Sequence, residues 1–109
     1  MKKSTKQQYE ARAKIIKAMA HPSRLLIIEE LNKKERCVSE LTKMIGADAS
    51  TVSKHLSILK NAGLVSDDKR GNSIFYSLRV PCIMQFTSCV EDVLSINARQ
   101  QTEILKCCK

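Results

Sequence analysis

Five cysteines and one polar helical face carry the side chains of this sequence that could do chemistry. Cys37, Cys82, Cys89, Cys107 and Cys108 supply thiolates, which hold soft ions and exchange with disulfides or reactive sulfur. Cys82 and Cys89 are seven residues apart, which on a straight helix puts them on one face but about 10 Å apart along the axis. Two thiolates on one ion, with bonds near ~2.3 Å, lie no more than about 4.6 Å apart. Each of the two must therefore pair across elements, with Cys37, with a partner subunit or with a second ion. The adjacent Cys107 and Cys108 suit a thiophilic trivalent centre such as As(III) if the end of the chain folds back. The plainer readings are apolar packing for Cys82 and Cys89, since free Cys is commonly buried, and a solvated tail for the last two.

The polar face lies in the run Asp48-Ala-Ser-Thr-Val-Ser-Lys-His-Leu-Ser-Ile-Leu59. Asp48 can accept backbone N–H bonds at a helix start, and Val52, Leu56 and Leu59 recur at helical spacing toward a core. Ser50, Thr51, Ser53, Lys54 and His55 then point outward near the N-terminal half, where a helix presents side chains to base edges in a major groove. For each serine the plainer reading is an ordinary surface position. His55, next to Leu56, can equally be packed or held on a phosphate.

The elements that must position these groups fit a chain of 109 residues with 43% hydrophobic content, enough for one compact domain, and residues 1–109 are read as one. With no Trp, two Phe and two Tyr the core must be mainly aliphatic, and so small a chain gains burial by dimerising. The formal charge of +8 favours a polyanionic partner. Lys2, Lys3, Lys6, Arg12, Lys14 and Lys17 face only Glu10 in the first twenty residues, a cluster that is otherwise a solvated basic face. No stretch approaches the ~20 apolar residues of a membrane span, and no apolar region follows Lys2 and Lys3. A cytoplasmic location is expected, where five cysteines argue for metal or redox chemistry over a disulfide framework.

Periodicity predicts helices over 6–19, from Pro22 with Leu25, Leu26, Ile28 and Leu31 buried, and from Ser39 to a stop at Gly46. Asn32 to Arg36 reads as a polar turn. The helix from Asp48 follows, ending before Gly63. Leu64 to Lys69 and Ser73 to Leu78 read as strands around Arg70-Gly71-Asn72, a basic-tipped hairpin, with φ > 0 available at Gly71 and tolerated at Asn72. A terminal helix over about 81–106 carries Ile83, Phe86, Val90, Val93 and Leu94 as an apolar stripe. The fold class is mainly α with a small β-hairpin wing, a winged helix-turn-helix dimerising through its first and last helices.

The order helix, helix, helix-turn-helix, wing, helix resembles the ArsR/SmtB family. The resemblance rests on Ala20-His-Pro-Ser-Arg-Leu25, Arg36-Cys-Val-Ser-Glu-Leu41, Asp48 to Leu56, Ala62-Gly-Leu64 and Arg70-Gly71 with Tyr76-Ser-Leu78, and spans roughly residues 10 to 95. It implies a homodimeric repressor that leaves double-stranded operator DNA when an inducer binds. On it, Ser50, Thr51, Ser53, Lys54 and His55 face the major groove, while Lys69, Arg70 and Asn72 reach phosphates or the minor groove. Zinc-sensing members use His and carboxylate ligands on the last helix, and this chain has no His after residue 55. Arsenic, antimony, cadmium and lead sensors use Cys-Val-Cys-Asp-Leu at the third helix. The matching stretch here is Cys37-Val-Ser39-Glu-Leu41, so Ser39 replaces the second thiolate and further sulfur must come from Cys82, Cys89, Cys107 or Cys108.

The inducer these residues imply is As(III) or Sb(III) first, then a soft divalent ion (Cd, Pb or Zn), then reactive sulfur or an oxidant acting through two cysteines such as Cys37 with Cys89 or Cys107. No organic cofactor is implied. An enzyme is disfavoured, because the sequence has no Gly-rich phosphate loop and no His-Glu metal-hydrolase pattern. An architectural DNA-binding protein without an inducer is the remaining alternative. It would bind DNA indifferently to arsenite, cadmium and persulfide.

Overall fold

The computed structural model describes the backbone of residues 1–107 and the side chains of residues 1–102. Five helices and a three-stranded sheet follow in the order α1 (Lys3–Met19), α2 (Pro22–Lys33), β1 (Arg36–Cys37), α3 (Val38–Ile45), α4 (Ala49–Asn61), β2 (Val65–Arg70), β3 (Ser73–Leu78) and α5 (Ile83–Cys107). This is a winged helix-turn-helix, as the sequence pattern predicts.

Local chemistry sets most of the boundaries. α1 ends at Ala20, just before His21-Pro22. Pro22 opens α2, where its missing N–H costs nothing, and the Nδ1 of His21 accepts the Ser23 backbone N–H at 3.1 Å. Gly46, at φ 76°, closes α3 in the left-handed region. The Asp48 carboxylate accepts the Thr51 backbone N–H at 2.8 Å and caps α4. Donation from the Thr51 side chain, the Thr51 backbone and the Ser50 hydroxyl, in that order, holds the Asp48 carboxyl below its ordinary pKa.

The sheet runs β1-β3-β2 with both pairings antiparallel, Arg36 opposite Tyr76 and Arg70 opposite Ser73. The β2–β3 turn is therefore Gly71-Asn72. Only Gly71 has positive φ, the pattern in which glycine takes the first central position of a hairpin turn. β1 was read from sequence as part of a polar turn. It is a strand because β3 offers it a free edge, and Arg36 anchors it: its guanidinium meets Glu30 of α2 at 2.8 Å and Glu40 of α3 at 3.6 Å.

The core lies where α2, α3 and α4 meet the sheet. Ile27, Ile28, Leu41, Val52, Leu56, Leu59 and Val65 are its largest fully buried side chains, each contributing about 1.5–3 kcal/mol of transfer free energy. Leu25, expected inside, is 39% exposed. It lines an open, mainly apolar groove of about 400 Å3, with Ile16, Met19, Phe86, Val90 and Leu94 of α1 and α5. The stripe predicted on the terminal helix is thus real and lies open in the single chain. No helix among the described residues is long and apolar enough to cross a membrane.

Candidate nucleic-acid interface and thiol cleft

Val52, Leu56 and Leu59 pull α4 onto the core, and that burial decides what the helix shows outside. Ser50, Thr51, Ser53 and Lys54 are exposed over its first two turns, as expected. His55 departs from the expectation. It is half-buried, its ring centroid lies 4.4 Å from that of His21, and its Nδ1 is buried without a partner among the described residues. Burial, then the adjacent His21 and Arg24, push its pKa down. His55 therefore joins the recognition-type helix to the start of α2 instead of standing free with its neighbours.

The wing also departs in part. Lys69, Arg70 and Asn72 are all exposed at its tip. Arg70, however, forms a forked pair with Glu35, meets Asp68 at 2.9 Å and lies over the Phe75 ring at 4.9 Å. Those partners raise its pKa and hold the Glu35 carboxyl below its ordinary value. Arg70 thus fastens the wing to the turn before β1, which leaves Lys69 as the cation of the tip without an ion pair among the described residues. Sequence reasoning missed Lys60, which meets Asp67 at 3.0 Å across α4 and β2. It also missed Lys43, exposed on α3. Neither carries a sequence signal beyond its charge.

The first cysteine sits at a junction. Cys37 ends β1 and caps α3, so the helix starts one residue before the predicted Ser39. Its backbone N–H and thiol both point to one Glu40 carboxylate oxygen, at 3.2 and 3.3 Å, and its sulfur is 3.0 Å from the Ser39 hydroxyl. The backbone bond is the main reason the Glu40 carboxyl titrates below its ordinary pKa. The thiol opens into a cleft of about 510 Å3 lined by Ser39, Thr42, Lys43, Asn72, Ser73 and Ile74, between α3 and the wing.

Among the described residues, neither of the other two thiols is brought to it. Cys82 and Cys89 are exposed and free, and Cys82 precedes α5 instead of lying on it, because the chain turns over Pro81-Cys82 before the helix begins. Among the described residues no group of three or more His, Cys, Asp or Glu is placed to hold a metal ion. The Cys107 side chain and the whole of Cys108 lie outside the described residues.

Comparison with known proteins agrees with this geometry. Residues 21–67 match the family described as "Bacterial regulatory protein, arsR family". An uncharacterised HTH-type transcriptional regulator of Mycobacterium tuberculosis is 34% identical over 88 residues, which cover 80% of this chain and 77% of that one. The crystal structure of NolR from Sinorhizobium fredii superposes with a TM-score of 0.78 at 31% identity, covering 85% of this chain and 93% of that one. A Mycobacterium bovis domain described as a homodimeric winged helix-turn-helix DNA-binding domain shares the fold, with a TM-score of 0.76 at 24% identity over 92% and 93% of the two chains.

Proposed function

The chain belongs to the arsR family of bacterial regulatory proteins, whose members are transcriptional regulators and not enzymes, and from that premise we propose a homodimeric repressor that releases operator DNA when a thiol-seeking species engages its cysteines. The exposed face of α4 carries this reading. Ser50, Thr51, Ser53 and Lys54 are displayed on a helix whose opposite side is sealed in the core, the geometry required for insertion into a major groove. Lys69 and Asn72 extend the contact to the flanking backbone, and Arg70 sets the wing's angle while it is held by Glu35. Two copies joined over the apolar surface of α1, α2 and α5 would present two such heads to a palindromic site.

Cys37 is the entry point for the inducer, because its thiol lies in a cleft that touches both α3 and the wing. As(III) or Sb(III) bound through three sulfurs would draw the others from Cys82 or Cys89 of either subunit or from the terminal pair Cys107 and Cys108. A second reading is a thiol switch, in which persulfide or an oxidant links Cys37 to one other cysteine; it needs two sulfurs and no three-ligand site, and among the described residues no such cluster is placed to hold a metal. A soft divalent ion is the third. In each case the signal would pass through the dimer helices to the spacing of the two heads.

The test is fluorescence anisotropy of the full-length protein on duplexes selected from a randomised pool, titrated with arsenite, cadmium, zinc and persulfide. Release by arsenite at about one ion per site identifies the metalloid reading, and release by persulfide alone identifies the switch. Binding that ignores all four leaves an architectural protein. Lys54→Ala should weaken binding and lower the slope of log affinity against log salt by about 0.9 per protomer. An unchanged slope would remove α4 from the interface.

A further inference from the structure

The basic cluster at the start of the chain is not used by the helix-turn-helix or the wing, and the fold gives it an address. At 3.6 residues per turn, Lys3, Lys6, Lys14 and Lys17 fall within about 80° of arc on α1, and the stripe runs about 21 Å along the axis. Glu10 shares that arc and lies 3.9 Å from Lys6, so the carboxylate answers the N-terminal part of the stripe only. Ile16 and Met19 lie on another side of α1, against the apolar surface shared with α5.

The C-terminal end of the stripe opens into a cleft of about 300 Å3 between α1, α2 and α4. Lys14, Lys17 and Arg24 line it together with Ile58 and Asn61 of α4, and no carboxylate among the described residues does. The Nε of Arg24 is buried without a partner among the described residues. Three cations around one cleft repel one another, and an anion placed among them would relieve that repulsion and satisfy the guanidinium.

We propose that Lys14, Lys17 and Arg24 form a second DNA-backbone site, which seats phosphates beside the segment read by α4. The occupant follows from shared walls: Ile58 and Asn61 lie four and seven residues after Lys54, on the same exposed face of α4, so a duplex laid along that face reaches the mouth of the cleft. The stripe's length matches about six base-pair steps of 3.4 Å. Contacts of this kind add affinity without sequence preference. The inference rests on α4 being the DNA-reading helix.

The experiment compares wild type, Lys14→Gln/Lys17→Gln, Arg12→Gln and Lys54→Ala, all as full-length dimers. Anisotropy is recorded against salt on a mixed-sequence duplex and on a selected high-affinity duplex. Lys14→Gln/Lys17→Gln should lower the salt slope by about 1.8 per protomer on both duplexes and leave the ratio of the two affinities unchanged. Arg12→Gln, on the other side of α1 and stacked on Tyr9, should leave the slope where it was. If Lys54→Ala lowers the slope and Lys14→Gln/Lys17→Gln does not, the second site is refuted while the reading helix stands. If Lys54→Ala also leaves it unchanged, the DNA-reading assignment itself fails. Loss of binding to anionic phospholipid vesicles in the double variant, with its DNA slope intact, would assign the stripe to a membrane surface and overturn the proposal.

Discussion

Replacing His55 by Gln should flatten the loss of stability on mild acidification. The His55 ring is packed against His21 with Arg24 nearby and no carboxylate among the groups that shift it, so the folded protein holds it neutral to a lower pH than the unfolded chain does. The unfolded imidazole titrates near ~6.5. As pH falls through that value the unfolded chain takes up a proton that the folded state resists, so the stability is complete above it and erodes below. One proton of difference corresponds to at most about 1.4 kcal/mol per pH unit. Glu30, Glu35, Glu40 and Asp48 are all shifted down, so their contribution is lost only in and below the ordinary carboxylate range. Among the shifted groups, the interval between about pH 5 and 6.5 therefore belongs to His55. Urea unfolding at fixed protein concentration across that interval measures the slope for wild type and His55→Gln. A variant with the wild-type slope would show that His55 is not the group held neutral.

Other outcomes follow from the same geometry. Glu35→Gln should unfasten Arg70 and steepen the salt dependence of DNA binding by up to about 0.9 per protomer, and an unchanged slope would mean that Asp68 alone suffices to hold the guanidinium. Leu56→Ala, at a fully buried site, should cost about 2–5 kcal/mol in denaturant unfolding; a loss under ~1 kcal/mol would show that α4 is not anchored as described. Cys37→Ser and Cys89→Ser should both bind DNA normally and fail to release with arsenite. Release by either at the wild-type concentration would take that sulfur out of the sensing site.

The parts of this fold that declared themselves in the sequence are those governed by local rules. Asp48 caps α4, Pro22 opens α2, Gly46 closes α3 and Gly71 turns the wing, each within a few residues of its effect. What stayed hidden depends on partners distant in sequence. β1 is two residues long, too short for any alternation, and exists through its pairing with Phe75 and Tyr76. Leu25 reads as core because it is apolar at the right spacing, yet it is exposed on the groove shared by α1, α2 and α5. His55 was legible in principle: positions 52, 55, 56 and 59 recur at helical spacing, which puts His55 on the rim of the buried stripe. The capping role of Cys37 escaped because thiols are not among the usual cap residues. The exposed polar face of α4 was visible from four positions, and the pairing of Arg70 with Glu35, 35 residues earlier, was not.

The strand order places β2 at one rim of the sheet, with Ser66, Asp67, Asp68, Lys69 and Arg70 in succession along it. An unpaired strand is a template for another chain, and such a charged run makes this rim a poor one for intermolecular pairing. Engineering stronger DNA binders by exchanging Asp67 and Asp68 for apolar residues would gain favourable net charge and at the same time strip that guard. The price would appear as aggregation through the sheet, away from the helical surface proposed to join two copies.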